Sequence, residues 1–145
     1  MTKHRYISTI ETYYEGCNAQ NPEIMISTFT DDVVHYFVDH TSVSTAKGLA
    51  NYWCKVADQT QATWSMDHAL VKEPEAVIEW SMLWRPLSEE NHELLRGTEW
   101  FIFRDEKIAE IRSYHCNFFL SDRKNRQLHD FNYAARGYTV EDWLK

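Results

Sequence analysis

The chain has 145 residues, of which 43% are hydrophobic and 14% aromatic, with a formal net charge of −7 and a sequence pI near 5.4. That length supports one hydrophobic core rather than two, so residues 1–145 read as a single domain, and the acidic balance argues against nucleic acid, which is bound by Lys and Arg displacing counterions. No run approaches the ~20 apolar residues of a membrane span, the N-terminus lacks the apolar stretch of a signal peptide, and Cys17, Cys54 and Cys116 form no CxxC pair, so no membrane partner and a cytoplasmic setting are expected.

In chain order, Ile7, Ile10, Tyr14 and Cys17 recur at steps of three and four, which predicts an amphipathic helix over 2–18 with Tyr13 beside the stripe. Asn21 as a cap and Pro22 at the first helical position open a second, shorter helix that ends at Thr30, Asp31 and Asp32. A strand over 32–39 follows within FTDDVVHYFVDH. Ser44 or Thr45 then caps a third helix, with Leu49, Trp53 and Val56 facing inward. Beyond it the hydrophobic period changes from helical to alternating. Strands are expected at about 62–72, 76–86, 94–104 and 107–118, separated by the turn segments KEPE, LSEENHE and RDEK. This order predicts an α+β fold, with helices gathered on one side of a curved antiparallel sheet.

Alternation sorts the strand residues by face. Ile78, Trp80, Met82 and Trp84 share the inward face of their strand. If Asp105 and Glu106 are the two loop residues of the last hairpin, Trp100 falls opposite Ile111 and Glu99 opposite Arg112. The inward face of that hairpin then holds Thr98, Trp100, Ile102, Ile111, Ser113 and His115. Glu99, Phe101, Phe103, Ile108, Arg112 and Tyr114 would lie on the outer face, toward solvent or a second subunit.

The segment YYEGCNAQNPEIMISTFTDDVV resembles the opening helices and first strand of the ketosteroid isomerase and nuclear transport factor two-like (SnoaL-like) superfamily, and FRDEKIAEIRSYH resembles its closing hairpin. The resemblance covers roughly residues 6–118. It implies a cone-shaped α+β barrel enclosing a deep pocket, in a superfamily of isomerases, dehydratases, polyketide cyclases, epoxide hydrolases and non-catalytic binding domains. It places Tyr13 where steroid isomerases stabilise an oxyanion. Their general base falls at Phe37 and their second oxyanion group, an acid, at Trp100. A dehydratase carboxylate falls at Asn18, a dehydratase histidine near Trp64, and an epoxide hydrolase Asp at Ser113. No relative's catalytic set is carried over whole.

Four residues are the catalytic candidates. His115 lies on the inward face by alternation and by resemblance, and an imidazole with a pKa near ~6.5 exchanges protons at neutral pH; otherwise it is a core histidine bonded across the sheet. His35 and Asp39 share the Phe37 side of the first strand. Residues four apart lie ~13 Å apart along a strand, so these two pair only through a bulge or a partner from another element, and His40 reads as a loop residue. Tyr13 would donate to a developing oxyanion, or its hydroxyl is simply satisfied within the core. Phe37, Trp64, Trp80 and Met82, with Trp100 and Ile111, would form an aromatic wall, and Ser113 and Thr98 would orient a ligand. The histidines make no HxH, HxxxH or HExxH spacing, so no metal site and no cofactor are expected.

Residues 119–145 carry too many apolar anchors for a disordered tail, among them Phe119, Leu120, Phe131, Tyr133, Tyr138 and Trp143. They are expected to form a lid over the pocket or an arm on a second subunit of a homodimer. The functional expectation is a cofactor-independent acid–base enzyme of isomerase, dehydratase or cyclase type, acting on a mostly apolar small molecule. The alternative is a non-catalytic small-molecule-binding or dimerisation module of the same fold.

Overall fold

Helix α1 (Arg5–Ala19) begins after His4, whose imidazole Nδ1 accepts the Tyr6 N–H at 3.0 Å and so occupies one of the free amides of the first turn. The computed structural model to which this helix belongs describes residues 2–115 and 128–138. Helix α2 (Pro22–Thr28) starts with the expected Asn21 cap, its side chain accepting from Ile24 N–H at 3.3 Å. It crosses close to α1 at Gly16, where a Cβ would sit 2.6 Å from Met25 Cγ. Helix α3 (Ala46–Thr60) is capped by Thr45, which accepts from Gly48 N–H at 3.0 Å.

The six strands are β1 (Phe29–Tyr36), β2 (Val43–Ser44), β3 (Thr63–Lys72), β4 (Glu75–Trp84), β5 (Glu93–Arg104) and β6 (Lys107–His115), and they form one sheet in the order β2-β1-β6-β5-β4-β3. Four strands match the sequence expectation closely. β1 starts and ends three residues earlier than expected, so Phe37 and Asp39 follow the strand rather than lie on it, and the short β2 carries no alternation from which to read it. The sheet is mixed rather than antiparallel throughout, because β1 lies parallel to β6, with His35 beside Ile111 and Tyr36 beside Arg112. It is also open, ending at β2 and β3, rather than closed into a barrel. The parallel pair joins the first strand to the last, and no local pattern reports so distant a partner.

The three helices cover one face of the sheet. Ile10 and Leu49 from the helices meet Phe101, Ile108 and Ile111 from the sheet, all without solvent exposure. Burying each such side chain contributes about 1.5–3 kcal/mol. Tyr6 stacks on Phe103 with ring centroids 3.8 Å apart, which seats α1 over β5.

The closing hairpin departs from the expected register. Asp105 and Glu106 are the turn residues, both left-handed with φ of 53° and 67°, and Arg104 faces Lys107. Phe103 pairs with Ile108, but Ile102 pairs with Glu110, so Ala109 is an extra residue forming a β-bulge. Beyond it Trp100 lies opposite Arg112 and Glu99 opposite Ser113. A slip of one residue exchanges the two faces of a strand. Glu99, Phe101 and Phe103 therefore point inward, while Thr98, Trp100 and Ile102 point outward.

Residues 128–138 pack on the outer face. Leu128 and Phe131 bury against Val38, with Tyr36, Tyr114 and Tyr133 around them. The Arg112 guanidinium lies 5.5 Å from both the Trp100 and Phe131 rings, and Arg136 grips Glu110 through two bonds of 2.7 and 3.1 Å. His129 N–H donates to the Phe37 carbonyl at 2.7 Å. This part of the tail covers the back of its own sheet; the expected lid or arm at 119–127 and 139–145, and the strand end at 116–118, lie outside the described residues. Among the described residues no helix is long and apolar enough to cross a membrane.

Candidate active site

A cavity of about 530 Å³ lies between the sheet and helices α1 and α3. Its wall is largely aromatic: Phe37 from just after β1, Trp53 from α3, Trp64 from β3, and Trp80 and Trp84 with Met82 from β4. Trp53 packs edge-on to Trp64 at 5.5 Å and to Phe37 at 5.8 Å. Trp80 reaches across β5 because Gly97 opposes it: a Cβ there would lie 2.5 Å from Trp80 Cζ2 and 2.7 Å from the Tyr114 carbonyl oxygen. The indole then meets His115 edge-on at 5.9 Å.

Two polar clusters interrupt this wall. In the first, His115 Nε2 donates to Asp39 Oδ2 at 3.3 Å, so the carboxylate orients the imidazole. Burial alone would raise the Asp39 carboxyl, but the hydrogen bond and charge of His115 outweigh it and hold Asp39 below its ordinary value. Asp39 Oδ1 and His115 Nδ1 are buried acceptors without a hydrogen-bond partner among the described residues. His40 stands beside them. Its Nδ1 donates to the Thr41 carbonyl at 2.8 Å, which leaves Nε2 to accept from the Tyr52 hydroxyl at 2.8 Å.

In the second cluster three groups converge on Glu99. Tyr14 donates to Oε1 at 2.5 Å and Ser113 donates to Oε2 at 2.5 Å, while His35 Nε2 lies 3.1 Å from Oε2. Burial pushes the Glu99 carboxyl up, but the bonds from His35, Ser113 and Tyr14 more than offset it, and the net direction is down. Burial also holds His35 below the usual imidazole range, against the pull of Glu99. The ring has no exposed surface and stacks on Phe37 with centroids 4.0 Å apart.

His35 and Asp39 thus do not pair with each other; each takes a partner from the closing hairpin, Glu99 and His115 respectively. Tyr13 is buried and lines the cavity, with burial pushing its phenol well up. Phe37, Trp64, Trp80, Met82 and Ser113 line the cavity, and Ile111 is buried in the core on the same face. Trp100 and Thr98 do not belong to the site: the bulge at Ala109 turns both to the outer face, where Trp100 is 39% exposed and its Nε1 donates to Glu75. The inward position at that level, where the resemblance leads one to look for an acid, is held by Glu99.

Asn18, at a dehydratase carboxylate's place, instead clamps the start of β3. Its side chain donates to the Trp64 carbonyl at 2.9 Å and accepts the Trp64 N–H at 2.8 Å. Glu99, Tyr14, Tyr52, Trp53 and His40 are among the cavity residues that sequence reasoning did not place there. For Glu99 a signal exists: Ile108 and Ile111 are both apolar and three apart, and strict alternation puts them on opposite faces unless a bulge intervenes. Among the described residues no group of three or more His, Cys, Asp or Glu side chains is arranged to hold a metal.

Three helices on an open six-stranded mixed sheet, with the cavity between the layers, define a cystatin-like, nuclear transport factor two-like α+β fold. Residues 10–111 match the SnoaL-like domain, and the chain belongs to that family. A protein of unknown function with a cystatin-like fold from Methylobium petroleophilum PM1 is 28% identical, with a TM-score of 0.83 over 100% of this chain and 97% of its own. TerC, crystallised with polyporic acid, superposes with a TM-score of 0.69 at 13% identity, over 78% of this chain and 92% of its own. A candidate SnoaL-like polyketide cyclase from Jannaschia sp. CCS1 gives 0.67 at 8% identity, over 79% and 90%. No curated protein matches the chain.

Proposed function

We propose that the protein is a cytosolic acid–base enzyme of isomerase, dehydratase or cyclase type, acting on a mostly apolar small molecule held in the aromatic cavity. The observation that carries this reading is the Asp39–His115 pair, which lines the largely aromatic cavity with its imidazole oriented by the carboxylate. Asp39 fixes the imidazole tautomer and stabilises the imidazolium formed as His115 takes the proton. Tyr13 donates to the oxygen on which charge develops. Polyketide cyclase and ketosteroid isomerase candidates among the structural relatives, and the co-crystallised acid in TerC, favour small organic ligands. The outer face of β3 to β5, with Leu70, Leu83, Leu94 and Trp100 exposed, is the proposed seat of a second copy of the chain.

Deuterium exchange from solvent into a panel of enolisable aromatic ketones, read by mass spectrometry, tests the chemistry. Exchange is expected with the parent protein, and to fall about 10²–10⁴-fold in His115→Gln with the melting temperature retained. Asp39→Asn is expected to fall in the same direction. Exchange unchanged in both variants removes the mechanism, and binding without any exchange by the parent favours the binding-module alternative.

A further inference from the structure

The acid–base reading uses Asp39 and His115 and leaves the Glu99 cluster without a task, although Glu99 and Ser113 line the same cavity. A carboxylate has about four lone-pair sites, and three are filled: Tyr14 on Oε1, and Ser113 with His35 on Oε2. Oε1 therefore keeps one acceptor site. The bonding groups are themselves well anchored, since His35, Ser113, Tyr14 and Glu99 are each no more than 6% exposed. A carboxylate held so firmly at the edge of a ring-lined space is an acceptor built in advance.

We infer that Glu99 is a second polar pole of the cavity and takes a hydrogen-bond donor, a phenolic or enolic hydroxyl of the ligand, on the free site of Oε1. The net downward direction of the Glu99 carboxyl agrees with its acting as acceptor rather than donor. Ser113 beside Glu99 and His115 beside Asp39 are two residues apart on β6, a spacing of ~7 Å. The substrate class follows: a flat, largely apolar compound with a free hydroxyl at one end and a proton-losing position about 7 Å away. The hydroxyl on Glu99 rests on the cavity being a ligand site and not on His115 performing chemistry; only the proton-losing position rests on the Asp39–His115 reading.

The test is calorimetric titration with two probes of similar shape, 2-naphthol, which donates and accepts, and 2-methoxynaphthalene, which only accepts. The parent protein is expected to prefer 2-naphthol at least tenfold. His115→Gln should keep that preference, and Glu99→Gln should lose most of it, with near-ultraviolet circular dichroism confirming its fold. Tyr14→Phe gives an independent reading: it frees a further lone pair on Glu99, so the preference should persist or grow. Equal affinity for both probes in the parent, a preference lost in His115→Gln but kept in Glu99→Gln, or a preference lost in a folded Tyr14→Phe would each overturn the inference. Failure of both probes to bind would overturn the ligand-site reading itself, whereas failure of deuterium exchange alone would leave the Glu99 assignment standing.

Discussion

His35 makes the fold sensitive to acid. It is fully buried between Phe37 and Trp53, and burial holds its folded pKa below the value near ~6.5 of an unfolded chain. Between those two values the unfolded chain binds the extra proton, so stability rises with pH across that window and is lost on acidification through it. Glu99 acts in the same direction lower down. Its folded pKa lies below the unfolded one, so its contribution is present above the unfolded value and lost as pH falls through the folded one. The urea midpoint should therefore drop between pH 7 and pH 5, and His35→Gln should flatten that drop. Equal midpoints at both pH values in the parent would contradict this account. The residue scale is also where the sequence is most divided: His35, Asp39 and His115 stand out as ionisable groups in apolar strands, yet nothing local told which carboxylate each imidazole would meet.

At the scale of elements, the closing hairpin decides what the cavity contains. Four consecutive apolar residues, Trp100 to Phe103, carry no alternation, so either face of β5 satisfies the local pattern. The bulge at Ala109 breaks the tie by pairing Phe101 with Ile111 and Glu99 with Ser113. Gly97 is the second device, since its missing side chain lets Trp80 lie across β5 against His115. Gly97→Ala should displace that indole, destabilise the domain by about 1–3 kcal/mol and shift the tryptophan emission; unchanged emission and an unchanged melting temperature would mean the close approach is not needed. By contrast the helix caps at Asn21 and Thr45 and the outlines of β3 to β6 are local matters, and they were legible because a capping side chain or an alternating stripe acts within a few residues of itself.

Across the whole molecule, the two faces of the sheet have different occupants. The inner face meets the helices and the cavity, while residues 128–138 cover the outer face along β1 and β6 and leave β3 to β5 open. If that open face seats a second copy, Trp100→Lys should shift the mass in solution toward the monomer at micromolar concentration without changing 2-naphthol affinity, because the ring lies on the side of the sheet away from the cavity. A monomeric parent would remove the dimer from the proposal. Composition and periodicity by themselves determined the acidic single-chain α+β character, the three helices and the order of the long strands, since each depends on side chains close together in sequence. The parallel pairing of β1 with β6, the inward turn of Glu99 and the meetings of His35 with Glu99 and Asp39 with His115 were decided only by the tertiary structure. The two side-chain meetings and the parallel pairing join residues 64 to 79 positions apart, and at that range only the packing of the whole core selects one register over its neighbour.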